Sequence, residues 1–429
     1  MVGGNPRQEE ADAMKRILSL LFLLLILPCA ASAAQQEITL RISWWGGQTR
    51  HQTILSAIDA YEQAHPGVSI ECEYGQFAPY YQRLVTQLRS DSAPDIMAID
   101  YKWSNQLMGL RDAFVNIDTL SDILPLTDRQ RSFAGVYGGG DDFLIGVPMG
   151  INAHCFMYNE DFFEAFGLSP DGLTTWEALM EAGARVNAQD SDRYLLCLTS
   201  DAMTYLVRTL LKQRAGCCLL TDAGEPGCTQ QELADVFALV RALYDTHTLP
   251  PFEQCVLYEN LSAPSNPLWL GERVGIFPAW TSAYPTLNAL DPDFSIGFMR
   301  YPCPEDALDS GALVTPTLFF SISAASAHPR EAADFLRYLL DVTSGGEAQS
   351  AFGAPLALMD AEGGLPGMPQ KITDIIHACM AADGLPENGP SLSVEINALL
   401  KETLHRLGYG QDTPEEAAAR FLSGLGDVR

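Results

Sequence analysis

The first ordered pattern of apolar and polar positions is the run ITLRISWW (38–45), followed by GGQTRH and then by Ile54, Leu55, Ile58 and Tyr61 at three- and four-residue spacing. That pattern predicts a buried strand, a glycine turn and an amphipathic helix, half of a parallel-sheet unit. Pro66 and Gly67 end the helix, and VSIECEYG alternates at Val68, Ile70, Cys72 and Tyr74 as a second strand does. A second helix carries Tyr81, Leu84, Val85 and Leu88 on one stripe, and DIMAID predicts a short buried strand ending at Asp100. Strands alternating with helices in this way favour a mostly parallel sheet, and ligands of open α/β sheets sit beyond the carboxyl ends of the strands. Trp44 to His51, Phe77 and Asp100 all fall on that edge.

The segment from Tyr101 to Gly140 reads as loop-rich, with a weaker helical pattern between Trp103 and Leu110. FLIGVPM and CFMYN predict strands, and a fresh helical region follows them, which suggests a crossing into a second lobe. Thr175 is placed as the N-cap of a helix through Trp176, Leu179 and Met180, and helical patterns recur at Met203–Leu211 and Leu233–Tyr244. GERVGIFPAW predicts a strand turning at Pro278, FSIGFM another, and GALVTPTLFFSISAA one or two more with a proline interruption. Helices are then expected over Arg330–Leu340, around Ile396–Leu407 and from Pro414, a residue suited to a first turn. The expected architecture is α/β with two discontinuous lobes, 37–147 plus 270–342 and 148–269 plus 343–429, joined by crossing hinge strands.

Ahead of this pattern, Lys15 and Arg16 precede the apolar run Ile17–Leu27, and Ala30, Ala31, Ser32, Ala33 and Ala34 follow. A basic region, an apolar stretch too short to span a membrane and a small-residue exit describe an export signal over 1–33, with Met14 an alternative start. Cys29 leaves a second reading open, acylation in a lipoprotein signal. Either reading places the protein outside the cytoplasm, in the periplasm or on the outer face of the cytoplasmic membrane. Roughly 395 residues remain beyond the signal, more than one hydrophobic core normally serves.

The formal charge of −28, from 54 acidic and 26 basic residues, repels phosphate backbones and argues against a nucleic-acid partner. The ten cysteines show no paired CxxC spacing, so no metal site is expected. Cys217, Cys218 and Cys228 surround a glycine-rich turn where a disulfide would close a local loop, and burial as small hydrophobes is the competing reading. No GxSxG elbow, HExxH or phosphate loop is present, so neither a catalytic residue nor a cofactor is assigned.

Several stretches, in order, carry a resemblance: ITLRISWWGG, AIDAYEQAHPGVSI, LVTQLRSDSAPDIMAID, FLIGVPMGINAHCFMYNEDFFEAFGL, TTWEAL, GERVGIFPAW and SISAASAHPREAADFLRYLL. The chain resembles the extracellular solute-binding proteins of bacterial ABC importers, in the sugar-binding group that includes maltose-binding protein. The resemblance implies a periplasmic-binding-protein-like fold with an interlobe ligand cleft, a carbohydrate ligand, delivery to the membrane subunits of an ABC permease, and a monomer without enzymatic activity. Asn152 stands where maltose-binding protein has an acidic ligand contact, and the carboxylate and lysine after the first strand are replaced by GGQTRH, so maltose itself is not implied. A secreted carbohydrate-active enzyme and a surface adhesion or structural protein are the alternatives.

A sugar presents hydroxyl edges and apolar C–H faces, so its site calls for planar hydrogen-bonding groups and aromatic platforms. Trp45 is expected at the cleft or in the core, with Trp44 in the sheet interior because neighbouring strand residues face opposite ways. Gly46 lets the chain approach a ligand or simply turns. Arg50 grips a ligand or an ion-pair partner, and His51 donates to a hydroxyl or caps the helix. Phe77 stacks on a sugar or packs inward; Asp100 accepts hydroxyls or caps the next segment, and Trp103 shares its edge. Asn152 offers an amide at the cleft. Trp280 matches the group's sugar-stacking tryptophan, and Tyr284, one turn later, extends that platform.

Overall fold

The computed structural model describes residues 37–140, 142–344, 349–387 and 389–426. The expected export signal and Cys29 lie outside the described residues. Ten strands are described: β1 (Ile38–Trp45), β2 (Val68–Gly75), β3 (Ile96–Ile99), β4 (Val147–Pro148), β5 (Ile151–Asn159), β6 (Tyr194–Leu196), β7 (Val274–Trp280), β8 (Ile296–Met299), β9 (Leu313–Pro316) and β10 (Phe319–Ile322). They form two sheets, each the centre of one α/β lobe.

The first sheet has the order β2-β1-β3-β10-β4. β1 runs parallel to β2 and β3, as the alternation of strands and helices predicts, while β10 is antiparallel to β3 and β4. Leu40, Ile42 and Trp44 are fully buried, in one core with Ile54, Ile58 and Tyr61 of the helix Gln48–Ala64 and Phe335 and Leu336 of the helix Pro329–Thr343. Tyr80, from the helix Phe77–Arg89, places its buried hydroxyl 2.9 Å from Ser43 Oγ and donates toward the Ala98 carbonyl at 3.0 Å, tying β1 to β3.

The second sheet has the order β6-β7-β5-β8, with β9 also paired to β5. Alternation along β5 divides its faces. Ile151, Ala153, Cys155 and Met157 enter one core with Trp269, Phe277 and Ile376; Phe156 enters another with Trp176, Leu206, Phe237 and Leu404.

Several features differ from the sequence reading. The whole stretch 270–342 was expected in the first lobe, but β7, β8 and β9 all pair with β5, so 270–316 lies with the second sheet and the second crossing falls between Pro316 and Phe319. The expected proline interruption is thus the junction between sheets. Likewise Ala351 and Phe352, expected in the second lobe, pack in the first core. The helix Asp128–Gly138, read as loop, is set by a capping box of Thr127 and Gln130.

β7 also runs through Pro278 to Trp280 instead of turning there. β6 has ended opposite Ile276, whose carbonyl accepts from Cys197 N on that side. Pro278, two residues on, faces the same open side, where its missing N–H leaves no partner unsatisfied. Cys217 and Cys228 are free thiols, so no bridge between them closes the glycine-rich turn.

Among the described residues three chain passages join the lobes, and backbone bonds hold them together. Ile151 and Ala354 exchange N–H···O bonds of 2.7 and 2.9 Å, Thr317 N donates to Gly150 O at 3.0 Å, and Met149 N to Leu318 O at 3.0 Å. A Cβ on Gly150 would stand 2.1 Å from the Phe352 carbonyl oxygen. Gly150→Ala is therefore expected to force these passages apart and to destabilise the fold by about 1–3 kcal/mol, the usual cost of overpacking. Denaturant unfolding checks this, and an unchanged midpoint would remove the close-packed hinge from the account.

Candidate functional site

The carboxyl edge of the first sheet gathers aromatic side chains because β1 ends at Trp45, β3 leads into the turn Tyr101–Trp103, and Phe77 opens the intervening helix. Trp45 lies 5.0 Å from Trp103 and 5.5 Å from Phe77, and Phe77 stacks on Trp103 at 5.1 Å between ring centroids. Trp45 and Trp103 are buried by this mutual contact, while Phe77 keeps 44% of its surface exposed and forms the outer face.

Charge collects beside the rings. Asp100 Oδ1 caps the turn by accepting from Lys102 N at 2.9 Å. Burial raises the Asp100 pKa, and Lys102, its amide and Arg50 oppose the shift. Arg50 gives its Nε–H to Ala351 O at 2.8 Å and an Nη1–H to Trp45 O at 3.1 Å. Burial lowers its pKa to about 10 against the attraction of Asp100. The Lys102 ammonium lies 5.8 Å from the Tyr101 ring centroid and 5.7 Å from that of Tyr205, which belongs to the second lobe. It is the charged group that bridges the two walls here.

The second wall is built on β5, β7 and the helix Ser200–Ala215. Trp280 meets His154 edge-on at 4.9 Å and Tyr205 at 5.3 Å. These three rings line a cavity of about 300 Å³ together with Asp201, Glu259 and Ser282. Asp201 pairs with Lys401 at 2.6 Å, and Glu259 lies 2.7 Å from His405 Nε2. An aromatic wall with carboxylate and hydroxyl groups at its margin suits a polar ligand with apolar faces.

The sequence candidates therefore divide. Trp45, Phe77 and Trp103 come together, Arg50 and Asp100 stand beside them, and Trp280 lines the cavity on the other lobe. Four others serve the scaffold. Gly46 makes room for Arg50, since a Cβ there would lie 2.8 Å from Arg50 Cδ. His51 Nδ1 accepts from Trp44 Nε1 at 2.9 Å, and Tyr74 packs on both rings. Asn152 Oδ1 accepts from Thr281 Oγ1 and Ser282 N, both at 3.0 Å, and its amide donates to Ser282 Oγ at 2.9 Å, so it fixes the turn after Trp280. Tyr284 is buried in the second lobe, edge-on to Phe298 and beneath Lys371.

Lys102, His154 and Tyr205 were not among the sequence candidates. His154 had a usable signal: two residues beyond Asn152 in a strand, it must share that face. It is buried between Trp280, Tyr205 and Tyr301, with the Tyr301 hydroxyl 2.8 Å from Nδ1. Burial lowers its pKa to about 3. In the unfolded chain a histidine titrates at about 6.5, so between these values the unfolded state holds a proton that the folded state does not. Stability from this group is present above that range and drains away as pH falls through it. His154→Gln should flatten the melting temperature's dependence on pH in that acidic window; a curve parallel to the parent's would exclude His154 as a source of the slope.

Residues 56–349 match the family described as Bacterial extracellular solute-binding protein. A 125-residue stretch is 27% identical to a probable amino-acid ABC transporter periplasmic-binding protein of Sinorhizobium fredii (strain NBRC 101917 / NGR234), covering 28% of this chain and 29% of that protein. A 152-residue stretch is 26% identical to the mannitol-binding protein of Pseudomonas aeruginosa, covering 33% of this chain and 32% of that one. The chain thus spans about a third of the length of these curated relatives. Among solved structures, a periplasmic solute-binding protein from Pectobacterium atrosepticum SCRI1043 is similar with a TM-score of 0.78 and 25% identity, over 91% of this chain and 98% of that one. A periplasmic oligogalacturonide-binding protein from Yersinia enterocolitica, in complex with saturated digalacturonic acid, is similar with a TM-score of 0.75 and 20% identity, over 91% and 99%.

Proposed function

This chain belongs to the bacterial extracellular solute-binding proteins, and on that footing we propose that it is the capture component of an ABC importer whose ligand is a carbohydrate, an oligosaccharide in particular. The observation that carries the reading is the pair of aromatic walls on opposite lobes: Trp45, Phe77 and Trp103 on one, Trp280 and Tyr205 on the other. Stacked rings match the apolar faces of sugar rings, and Asp100, Asp201 and Ser282 offer partners for their hydroxyls. The oligogalacturonide-binding and mannitol-binding relatives support the same class of ligand.

In this reading the ligand docks on one wall and the lobes close about the three hinge passages, so that the second wall completes its contacts. Closure is a shift between two populations, favoured by as much as the ligand binds the closed form better than the open one. The closed form is what an ABC permease then receives. Export by the signal over 1–33, with a lipid anchor at Cys29 as the alternative, and a monomeric state are parts of the same proposal. Nothing in this scheme requires a bond in the ligand to break.

Trp280→Ala removes stacking area from the cavity. Aromatic pairing contributes about 0.5–1.5 kcal/mol beyond burial, so affinity for the bound oligosaccharide should fall roughly 3- to 10-fold, with the melting curve of the ligand-free protein unchanged. A thermal-shift screen over neutral, amino and uronic oligosaccharides identifies the ligand, since binding to the folded form alone raises its melting point; calorimetry on parent and variant then gives the ratio. Equal affinities would dismiss Trp280, and turnover of the sugar would overturn the binding role.

A further inference from the structure

Lys102 is placed with more restraint than a surface lysine. Its amide is fixed by Asp100, its ammonium sits between tyrosine rings of the two lobes, and its side chain is half-buried. Neither Lys102 nor Arg50, on the same edge, makes an ion pair among the described residues; Asp201, the carboxylate facing Lys102 from the second lobe, is engaged by Lys401 at 2.6 Å. Asp100 acts electrostatically on both cations. Two cations and one carboxylate leave this edge locally positive in a chain whose formal charge is −28.

The distant field of such a chain repels anions, and closing the lobes would strip water from Lys102 with its charge only partly balanced. A neutral sugar supplies hydroxyls and no countercharge. A carboxylate supplies both an acceptor and the missing charge, and charge-assisted hydrogen bonds are the stronger kind. Resting on the carbohydrate reading above, we propose that the ligand is an acidic saccharide, a uronic-acid-containing oligosaccharide, and that Lys102 receives its carboxylate in the cleft and sets the preference for acid over neutral sugar. Burial pulls the lysine's pKa down, but Tyr205, Tyr101 and Asp100 outweigh it, so the ammonium is charged when the ligand arrives. His154, also within its field, is held neutral by burial and does not compete for the anion.

The test is calorimetry on the whole mature protein with digalacturonate and its dimethyl ester, a pair that differs in charge while keeping the ring faces. The acid is expected to bind at least about tenfold more tightly than the ester. Lys102→Met should bring that ratio close to one, and Lys102→Arg should restore much of it. Melting curves without ligand check that each variant folds. Equal affinity of acid and ester in the parent, or a ratio untouched by Lys102→Met, overturns the inference. So does binding of neutral oligosaccharides without any binding of uronates, and that result leaves the carbohydrate reading intact. Failure of both acidic and neutral oligosaccharides to bind overturns both.

Discussion

The crossing of three backbone passages at Gly150 is the constraint from which the rest of the geometry follows. The bonds between Ile151 and Ala354, and from Thr317 to Gly150, leave no room for a side chain there. Because β4 and β5 lie on either side of that glycine, the two sheets start from a common origin. The edge bearing Trp45 and Trp103 and the strand end bearing Trp280 are thereby set opposite one another. Lys102 and Tyr205 meet across the gap as a result, although 103 positions in sequence and two separate cores divide them.

Much of the first lobe was legible because its signals are local. β1, β2, β3 and the helices between them follow from unbroken or alternating apolar runs bounded by glycine and proline. The pairing partners of β7, β8 and β9 were not legible in the same way, since an antiparallel strand carries no mark of which sheet it joins. The helix Asp128–Gly138 was readable in principle from the capping box in TDRQ, but its stripe is interrupted by polar residues and glycine.

The candidate site divides along similar lines. Position at the end of a strand located Trp45, Asp100 and Trp103, and a family landmark located Trp280. What sequence could not say is how a polar side chain is already occupied. His51 and Asn152 carry suitable chemistry for a sugar, yet Trp44 and the 281–282 turn use their hydrogen-bonding capacity. Lys102 and Tyr205 escaped notice for the converse reason: each sits in an ordinary segment, and only the approach of two lobes brings them together.

Asn152 has a consequence for how this scaffold can diversify. Its amide clamps the turn that presents Trp280, and it lies on the strand that emerges directly from the crossing. The platform and the pivot are therefore mechanically one piece, with no compliant linker between them. A substitution at 280–282 that disturbs this clamp is therefore felt at the crossing as well, because both are tied to the same strand.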